Sequence, residues 1–190
     1  VKCTFTREEV FITNHGRHPT TMDMSVGCDN DGIITALDTD VIIDGGAYGS
    51  FGVVTSYYNG VLLQGPYKID KLGFRTRRTY TNKPQCGAMR GHGAVNPRYA
   101  VEVILDMLAH DIGIDPCDLR MKNFLSENTL TVGQLRITSN GVRECLETVR
   151  EKSDWNNRYG KLPYGRGLGV ACGFFISGSA LPIIWNRYPQ

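Results

Sequence analysis

The chain has 190 residues, of which 41% are hydrophobic and 21% are charged, as in an ordinary soluble globular protein. Its net charge of +2 comes from 21 basic and 19 acidic residues without a basic face or an acidic tail, so we expect no nucleic acid or membrane partner. No apolar run reaches transmembrane length and no secretory signal is recognisable, so we expect a cytoplasmic protein. The six cysteines lack zinc or iron–sulfur spacing, so we expect reduced thiols.

The N-terminal part of the chain is predicted to consist mainly of strands. Alternating apolar and polar residues predict a strand over residues 1–8. Residues 22–28 and 33–43 also have the pattern of strands, and Asp29–Gly32 between them has the composition of a tight turn. These two segments should therefore form an antiparallel hairpin, and residues 73–81 are predicted to form a further strand.

The C-terminal part is predicted to be helical, with one last strand. A helix should begin near Pro97 and end at Gly113, and a second should start at Pro116 with Asp115 as its cap. A third is predicted over residues 140–155. Gly167–Ser177 is predicted to be a strand. Strands followed by helices and a strand indicate an α+β fold, with mixed sheets and packed helices.

One loop, Gln85–Gly93, could carry chemistry. Its three glycines allow the backbone to approach a ligand and to direct N–H groups at it. Arg90 adds a cation with five donors, and His92 adds a planar ring that can carry a proton. Such a loop before a helix suits an anion or an oxo group, but these residues in isolation favour a tight structural turn with a surface arginine.

Other motifs favour structural roles. The glycines of Asp44–Gly49 do not have the spacing of a nucleotide-binding loop, so this segment is predicted to be a bend that lets strands pack closely. His15 and His18 have no third potential metal ligand nearby and are expected to be ordinary loop residues. Residue spacing alone does not name a reaction.

The order of seven short motifs adds a family resemblance. These motifs are Thr6–Glu9, Gly16–Pro19, Asp31–Leu37, Gly45–Tyr48, Gly65–Ile69, Asn82–Pro84 and Ala88–Gly93. Together they resemble the molybdopterin-binding large subunit of the xanthine oxidase family of molybdenum hydroxylases. The resemblance implies that residues 1–190 form part of a molybdenum-cofactor-binding region truncated at both ends. The family's G-G-x-G cofactor loop should precede Val1 and its catalytic glutamate should follow Gln190, so we expect no catalytic residue in this chain and no activity from it alone.

The resemblance also implies roles for five residues. In the family, the segment corresponding to Ala88, Met89 and Arg90 passes beside the molybdenum centre, so these residues are expected to contact the cofactor. His92 stands where xanthine oxidases have a phenylalanine that stacks on the purine. Tyr58 stands where they have an arginine. Both differences argue against a purine substrate and in favour of an uncharged aromatic ring.

Within the family, Tyr58 and His92, together with Gln64–Pro66, Gly91–Asn96 and Thr131–Gln134, resemble the 4-hydroxybenzoyl-CoA reductases. That resemblance implies reductive removal of a phenolic hydroxyl to give benzoyl-CoA in anaerobic aromatic degradation. It further implies a molybdenum–molybdopterin cytosine dinucleotide cofactor, partner subunits that carry iron–sulfur clusters and FAD, and ferredoxin as electron donor.

Two alternatives remain open at this stage. The first is another molybdenum hydroxylase, acting on an aldehyde, carbon monoxide or an N-heterocycle. The second is a non-catalytic scaffold domain, for which the Gly87–Gly93 loop should lie flat on the surface instead of lining a cavity.

Overall fold

The computed structural model describes residues 1–176, which form an α+β fold with mixed sheets and packed helices, as the sequence predicts. No helix in this part of the chain is long and apolar enough to cross a membrane. In chain order, the elements are α1 (Arg7–Thr13), β1 (Thr20–Cys28), β2 (Ile34–Asp44), α2 (Gly52–Val61), β3 (Lys71–Thr79), α3 (Val95–Ile112), α4 (Pro116–Asn123), β4 (Thr129–Leu130), β5 (Arg136–Ile137), α5 (Val142–Lys152) and α6 (Trp155–Arg158).

A three-stranded mixed sheet of order β1-β2-β3 organises the N-terminal part of the chain. β1 and β2 form the predicted antiparallel hairpin, in which Thr20 lies opposite Ile43. β3 pairs parallel to β2, with Ala36 opposite Lys71, after the chain has passed through α2. Because parallel strands end at the same edge of a sheet, the loops that leave β2 and β3 start side by side. β4 and β5 form a separate two-stranded sheet.

The main core lies where α3 packs against the sheet and α4. The residues of α3 that face this core, Val101, Leu105 and Ala109, follow the four-residue spacing of one helix face. They contact apolar side chains from the hairpin, the segment after α2 and the later helices: Ile34, Leu37, Leu63, Ile69, Leu119, Phe124, Leu146 and Trp155. The N-terminal end of α3, which follows the Gln85–Gly93 loop, is thus anchored by the rest of its helix.

The prediction of a strand over residues 1–8 is wrong. Residues 1–6 have no regular structure, and α1 begins at Arg7. The reason is a capping box: the Glu9 N–H donates to Thr6 Oγ1 at 3.2 Å, while the Thr6 N–H donates to Glu9 Oε2 at 2.7 Å. These two bonds satisfy backbone donors at the start of a helix, which outweighs the alternating pattern.

The last predicted strand, Gly167–Ser177, is also not observed. Residues 167–176 form no strand, and Ser177 lies outside the described residues. Within residues 1–176 no strand pairs with this segment, and β-branched or alternating residues form a strand only where a partner satisfies their backbone groups.

The helix ends are close to the predictions because their caps are local. α3 starts at Val95, two residues before Pro97, and ends at Gly113 in the left-handed conformation with φ 71°. Asp115 caps α4 by accepting from the Cys117 N–H at 2.8 Å. The helix predicted over residues 140–155 corresponds to α5, and a separate short helix, α6, begins at Trp155.

A buried ionic cluster, here called the Glu102 cluster, joins α3 to α4. It consists of Tyr67, Arg98, Glu102, Arg120 and Cys172. The Glu102 carboxylate accepts from the Tyr67 hydroxyl at 2.8 Å, from Arg120 Nε at 2.8 Å and from the Cys172 N–H at 3.1 Å. Arg98 Nε lies 3.5 Å from the same carboxylate. Burial alone would lower the pKa of Arg120, but Glu102 beside it raises that pKa above its ordinary value.

Candidate functional site

Three segments meet at the edge of the sheet where β2 and β3 end: the N-terminal segment before β1, the bend after β2, and Gln85–Ala94, here called the site loop. The Gly87 N–H donates to the Gly16 carbonyl at 3.1 Å. Arg17 Nη2 donates to the Arg90 carbonyl at 2.7 Å. These bonds connect residues more than 70 positions apart, so the N-terminal segment braces the site loop from one side.

The bend after β2 braces the site loop from the other side. Asp44 accepts from Lys83 Nζ at 2.7 Å and from the Thr81 hydroxyl at 2.7 Å. The Lys83 ammonium, the Thr81 hydroxyl and the Gly46 N–H hold the pKa of Asp44 well below its ordinary value. Gly46 has φ +69°, and a Cβ there would lie 2.3 Å from the Pro84 carbonyl oxygen, so only glycine fits. The close-packing interpretation of Asp44–Gly49 agrees with this geometry.

The three predicted cofactor contacts form the exposed part of the site loop. Ala88, Met89 and Arg90 lie outside helices and strands, and all three are solvent-exposed. Within residues 1–176, none of their N–H groups donates to a backbone or side-chain acceptor. Successive free donors beside the guanidinium groups of Arg17 and Arg90 suit an anionic group rich in oxygen and sulfur. The residues present therefore fit a molybdopterin cofactor.

The two predicted substrate residues are in contact with each other. The rings of Tyr58, on α2, and His92, on the site loop, meet edge to face with centroids 5.7 Å apart. Gly93 allows this approach, because a Cβ there would lie 2.4 Å from Tyr58 Cβ. Tyr58 is buried at 6% exposure, whereas His92 is partly exposed. Tyr58 therefore lies behind His92.

Two further polar residues, Thr55 and His18, were not predicted as part of the site. Thr55 Oγ1 lies 2.5 Å from His92 Nε2 and 3.5 Å from His18 Nδ1. Burial lowers the pKa of His18, and the charges of Arg78 and His92 lower it further. Burial and the charge of Arg17 lower the pKa of His92. Both imidazoles are consequently neutral near pH 7.

The sequence carried a signal for His18 but none for Thr55. The Arg17-His18-Pro19 motif was recognised, yet nothing in its spacing predicted that His18 is buried at 2% exposure against α2. The contacts of Thr55 with His18 and His92 each span 37 positions of the chain. Such contacts depend on the pairing of β2 with β3, which is not a local property of the sequence.

The site loop lines cavities and does not lie flat. Gly87, Met89, His92 and Gly93 border a cavity of about 10 Å³, which is enough for one water molecule and far too small for a substrate. Gly91 borders a cleft of about 750 Å³ between α3 and residues 170–175. This concave setting disfavours the scaffold interpretation. Neither of these two cavities is lined by both Tyr58 and His92.

Comparisons with known proteins define the class. Residues 1–124 match the family model of the molybdopterin cofactor-binding domain. The chain is 37% identical over 187 residues to the putative xanthine dehydrogenase molybdenum-binding subunit XdhA of Escherichia coli K12, covering 93% of this chain and 24% of that protein. It is 34% identical over 154 residues to the nicotinate dehydrogenase large molybdopterin subunit of Eubacterium barkeri, covering 80% of this chain and 36% of that protein.

A solved structure shows the same fold. The aldehyde oxidoreductase of Desulfovibrio gigas superimposes with a TM-score of 0.75 at 23% identity, covering 82% of this chain and 18% of that one. The chain belongs to the molybdopterin cofactor-binding domain family of the xanthine oxidase family of molybdenum hydroxylases. It spans about a quarter of the length of XdhA, the curated relative described above.

Proposed function

We propose that this chain is the part of a molybdenum-dependent oxidoreductase subunit that holds one side of the cofactor through Ala88, Met89 and Arg90. The support is that their N–H groups have no acceptor among the described residues and lie beside two guanidinium groups, in a loop braced by Gly16, Arg17 and the bend after β2. When bound, molybdopterin supplies a molybdenum centre for two-electron redox chemistry at a substrate carbon. The residues of this chain bind and orient its anionic groups. We propose the cytosine dinucleotide form, in line with the family resemblance.

We further propose that the substrate is 4-hydroxybenzoyl-CoA, which the enzyme reduces with two electrons and two protons to benzoyl-CoA and water. The observation that carries this proposal is the edge-to-face contact between Tyr58 and His92. The buried Tyr58 ring supports the partly exposed His92 ring from behind, and the neutral imidazole suits the hydroxyl of a phenol. Xanthine oxidases have an arginine at the position of Tyr58, and neither Tyr58 nor His92 carries the permanent positive charge of that arginine.

A second candidate is hydroxylation of an N-heterocycle. The curated relatives named above are a putative xanthine dehydrogenase subunit and a nicotinate dehydrogenase subunit, at 37% and 34% identity. A neutral imidazole and a tyrosine can also accept and donate hydrogen bonds to a heterocycle. The two candidates differ in the direction of electron flow and in the substrate that the complex turns over.

The proposed partners are an iron–sulfur subunit and an FAD subunit of the same complex, with ferredoxin as electron donor in the cytoplasm. The described part of this chain has no cluster of three or more histidine, cysteine or acidic side chains that could hold a metal ion. The names of the relatives also describe them as subunits. Residues 1–190 alone should show no turnover, and activity with reduced ferredoxin would contradict this.

Product analysis of the purified native complex tests the substrate. Benzoyl-CoA formed from 4-hydroxybenzoyl-CoA and reduced ferredoxin supports the first candidate. Oxidation of nicotinate or xanthine without that reaction supports the second and excludes the first. A His92→Phe variant, which substitutes a ring without a nitrogen, should raise KM for 4-hydroxybenzoyl-CoA about tenfold or more, because it loses a polar contact in a desolvated site.

Metal analysis tests the cofactor contacts separately from activity. Replacing Arg17 by methionine removes the bond that holds the Arg90 carbonyl, and we expect molybdenum per subunit, measured by inductively coupled plasma mass spectrometry, to fall about tenfold. Arg77→Met is the matched control, because Arg77 is paired with Asp40 on the exposed face of β3. Equal molybdenum content in both variants would contradict the proposed role of the loop.

A further inference from the structure

We propose that Thr55 is a positioning residue for His92: its hydroxyl oxygen accepts the Nε2 proton of His92 and thereby leaves Nδ1 as the bare acceptor available to a ligand. The inference rests on the proposed function only in assigning that ligand to the substrate. Its geometric basis is the distance of 2.5 Å between Thr55 Oγ1 and His92 Nε2, the shortest of the bonds that Thr55 makes.

The direction of this bond follows from the other contacts of Thr55. A hydroxyl has one proton to donate, and Thr55 donates it to the Phe51 carbonyl at 3.2 Å, one turn earlier in the chain. Its oxygen is then restricted to accepting. His92 must therefore carry its proton on Nε2, and because a neutral imidazole has a single N–H, Nδ1 is left as a lone pair.

His18 supports the same arrangement from the other side of Thr55. Its Nδ1 lies 3.5 Å from the same hydroxyl oxygen, and its buried Nε2 has no partner within the described residues. Because the Thr55 hydroxyl donates its one proton to the Phe51 carbonyl, a bond to His18 Nδ1 also requires the proton to be on that nitrogen. Both histidines thus direct N–H groups at Thr55.

Burial, and after it the positive charges around the pair, lower the pKa of both rings and favour their neutral forms. Arg17 faces His92, and Arg78 and His92 face His18; Asp44 is the opposing negative charge near His18. Thr55, Phe51 and Tyr58 also contact the His92 ring, and all three are uncharged. A neutral ring with a fixed tautomer presents Nδ1 only as an acceptor.

This fixed acceptor defines the chemical class of ligand that His92 can hold. It can accept from a phenolic O–H or a ring N–H, and it cannot donate to a phenolate or to a carbonyl oxygen. For a phenol substrate, binding should weaken as the pH rises through the pKa of the substrate's own hydroxyl. The recognised form is therefore the neutral phenol.

The test measures the pKa of individual histidines in the full-length subunit within its native complex. The imidazole C2 hydrogen exchanges with deuterium at a rate that depends on protonation, and tryptic peptides report each ring by mass spectrometry. Cleavage after arginine and lysine places His15, His18 and His92 in three different peptides, each with a single histidine. His15, which is exposed and bonded to Gln85, serves as the internal control.

Thr55→Val and Thr55→Ser form the matched pair of variants. If Thr55 accepts from Nε2–H, it stabilises the imidazolium more than the neutral ring, so valine should lower the pKa of His92 by about half a unit or more. Serine keeps the hydroxyl and should leave the pKa of His92 unchanged. An increase in Thr55→Val would mean that Thr55 donates to His92, and either an increase or no change overturns the proposal.

A second variant and a kinetic readout keep the test decisive. Thr55→Ala replaces Thr55→Val if the latter does not assemble, with the same expected shift. With 4-hydroxybenzoyl-CoA as substrate, loss of the hydroxyl should raise KM about tenfold with a smaller change in kcat, and serine should restore it. Absence of turnover in the parent complex refutes the substrate and leaves the pKa measurement valid, so the two failures are distinguishable.

Discussion

Glu102, the centre of the Glu102 cluster, lies on the helix that directly follows the site loop, yet the polar groups of the two regions have opposite surroundings. The Glu102 carboxylate accepts three hydrogen bonds, and the guanidinium group of Arg98 lies beside it. Ala88, Met89 and Arg90 are exposed residues whose N–H groups donate to no acceptor within residues 1–176. α3 connects the two regions, so the buried cluster holds the helix whose first turn follows the open loop.

The difference separates polar groups that stabilise the fold from those that remain available for a ligand. Inside the core, a charge without a partner costs several kcal/mol, and the Glu102 carboxylate is the counter-charge that Arg98 and Arg120 share. At the edge of the sheet, solvent or a ligand can satisfy the donors of the loop. Substitutions in the first region should therefore reduce stability, and substitutions in the second should reduce binding.

The largest expected effect is that of Glu102→Gln. Without the carboxylate, Arg98 and Arg120 lose their shared counter-charge in a buried setting, and we expect a loss of about 3–5 kcal/mol in the free energy of unfolding. Denaturant titration of the purified full-length subunit measures it. Asp38→Asn is the control: it breaks an ion pair with Arg75 that is exposed to solvent, and it should change stability little. Similar losses for both variants would refute the distinction.

A smaller loss of stability is expected for Gly93→Ala, a substitution at the end of the site loop just before α3. The added Cβ would meet Tyr58 Cβ at 2.4 Å, and the φ of +71° is strained for alanine, so we expect a loss of about 1–3 kcal/mol and a displaced His92. Gly16→Ala is the matched control in the neighbouring segment, because a Cβ at Gly16 meets no atom within 4 Å. A thermal midpoint for Gly93→Ala equal to that of Gly16→Ala would contradict the close packing.

The smallest effect is expected at the bend, from Asp44→Asn, and it should depend on pH. The pKa of Asp44 is depressed in the folded chain, so its ionised form stabilises the fold above its ordinary pKa of 3.8. That contribution is lost as the pH falls below this value toward the folded-state pKa. The difference in thermal midpoint between parent and variant should be constant from pH 7 to 5 and shrink below about pH 4. A constant difference down to pH 3 would contradict it.

Local signals predicted much of the fold. The hairpin, the left-handed Gly113 and the Asp115 cap each depend on residues within a few positions of one another. The capping box of Thr6 and Glu9 was equally local and equally visible, but the alternating pattern was given more weight. The parallel pairing of β3 with β2 depends on α2 returning the chain to the sheet, and no local pattern specifies that partner.

The site was predictable only in part for the same reason. The family resemblance assigned Tyr58 and His92 to the substrate, which stays a prediction; the structure shows that their rings are in contact although the two residues are 34 positions apart along the chain. It did not reveal Thr55 behind His92. An uncharged threonine within a helix has no distinctive spacing, and its role becomes visible only when the distances to two imidazoles are known. The roles of Ala88, Met89 and Arg90 stay predictions until the cofactor content is measured.

The parallel β2–β3 pairing also has a consequence for protein engineering. α2, which carries Thr55 and Tyr58, is inserted between two strands that are already fixed to each other, whereas the site loop follows the second strand. We therefore expect that exchanging residues 52–61 for the corresponding helix of a homologous enzyme leaves both strand ends in register. Such a graft would change the surface behind residue 92 and leave the path of residues 88–90 in place, which makes this helix a natural unit for transferring specificity between related enzymes.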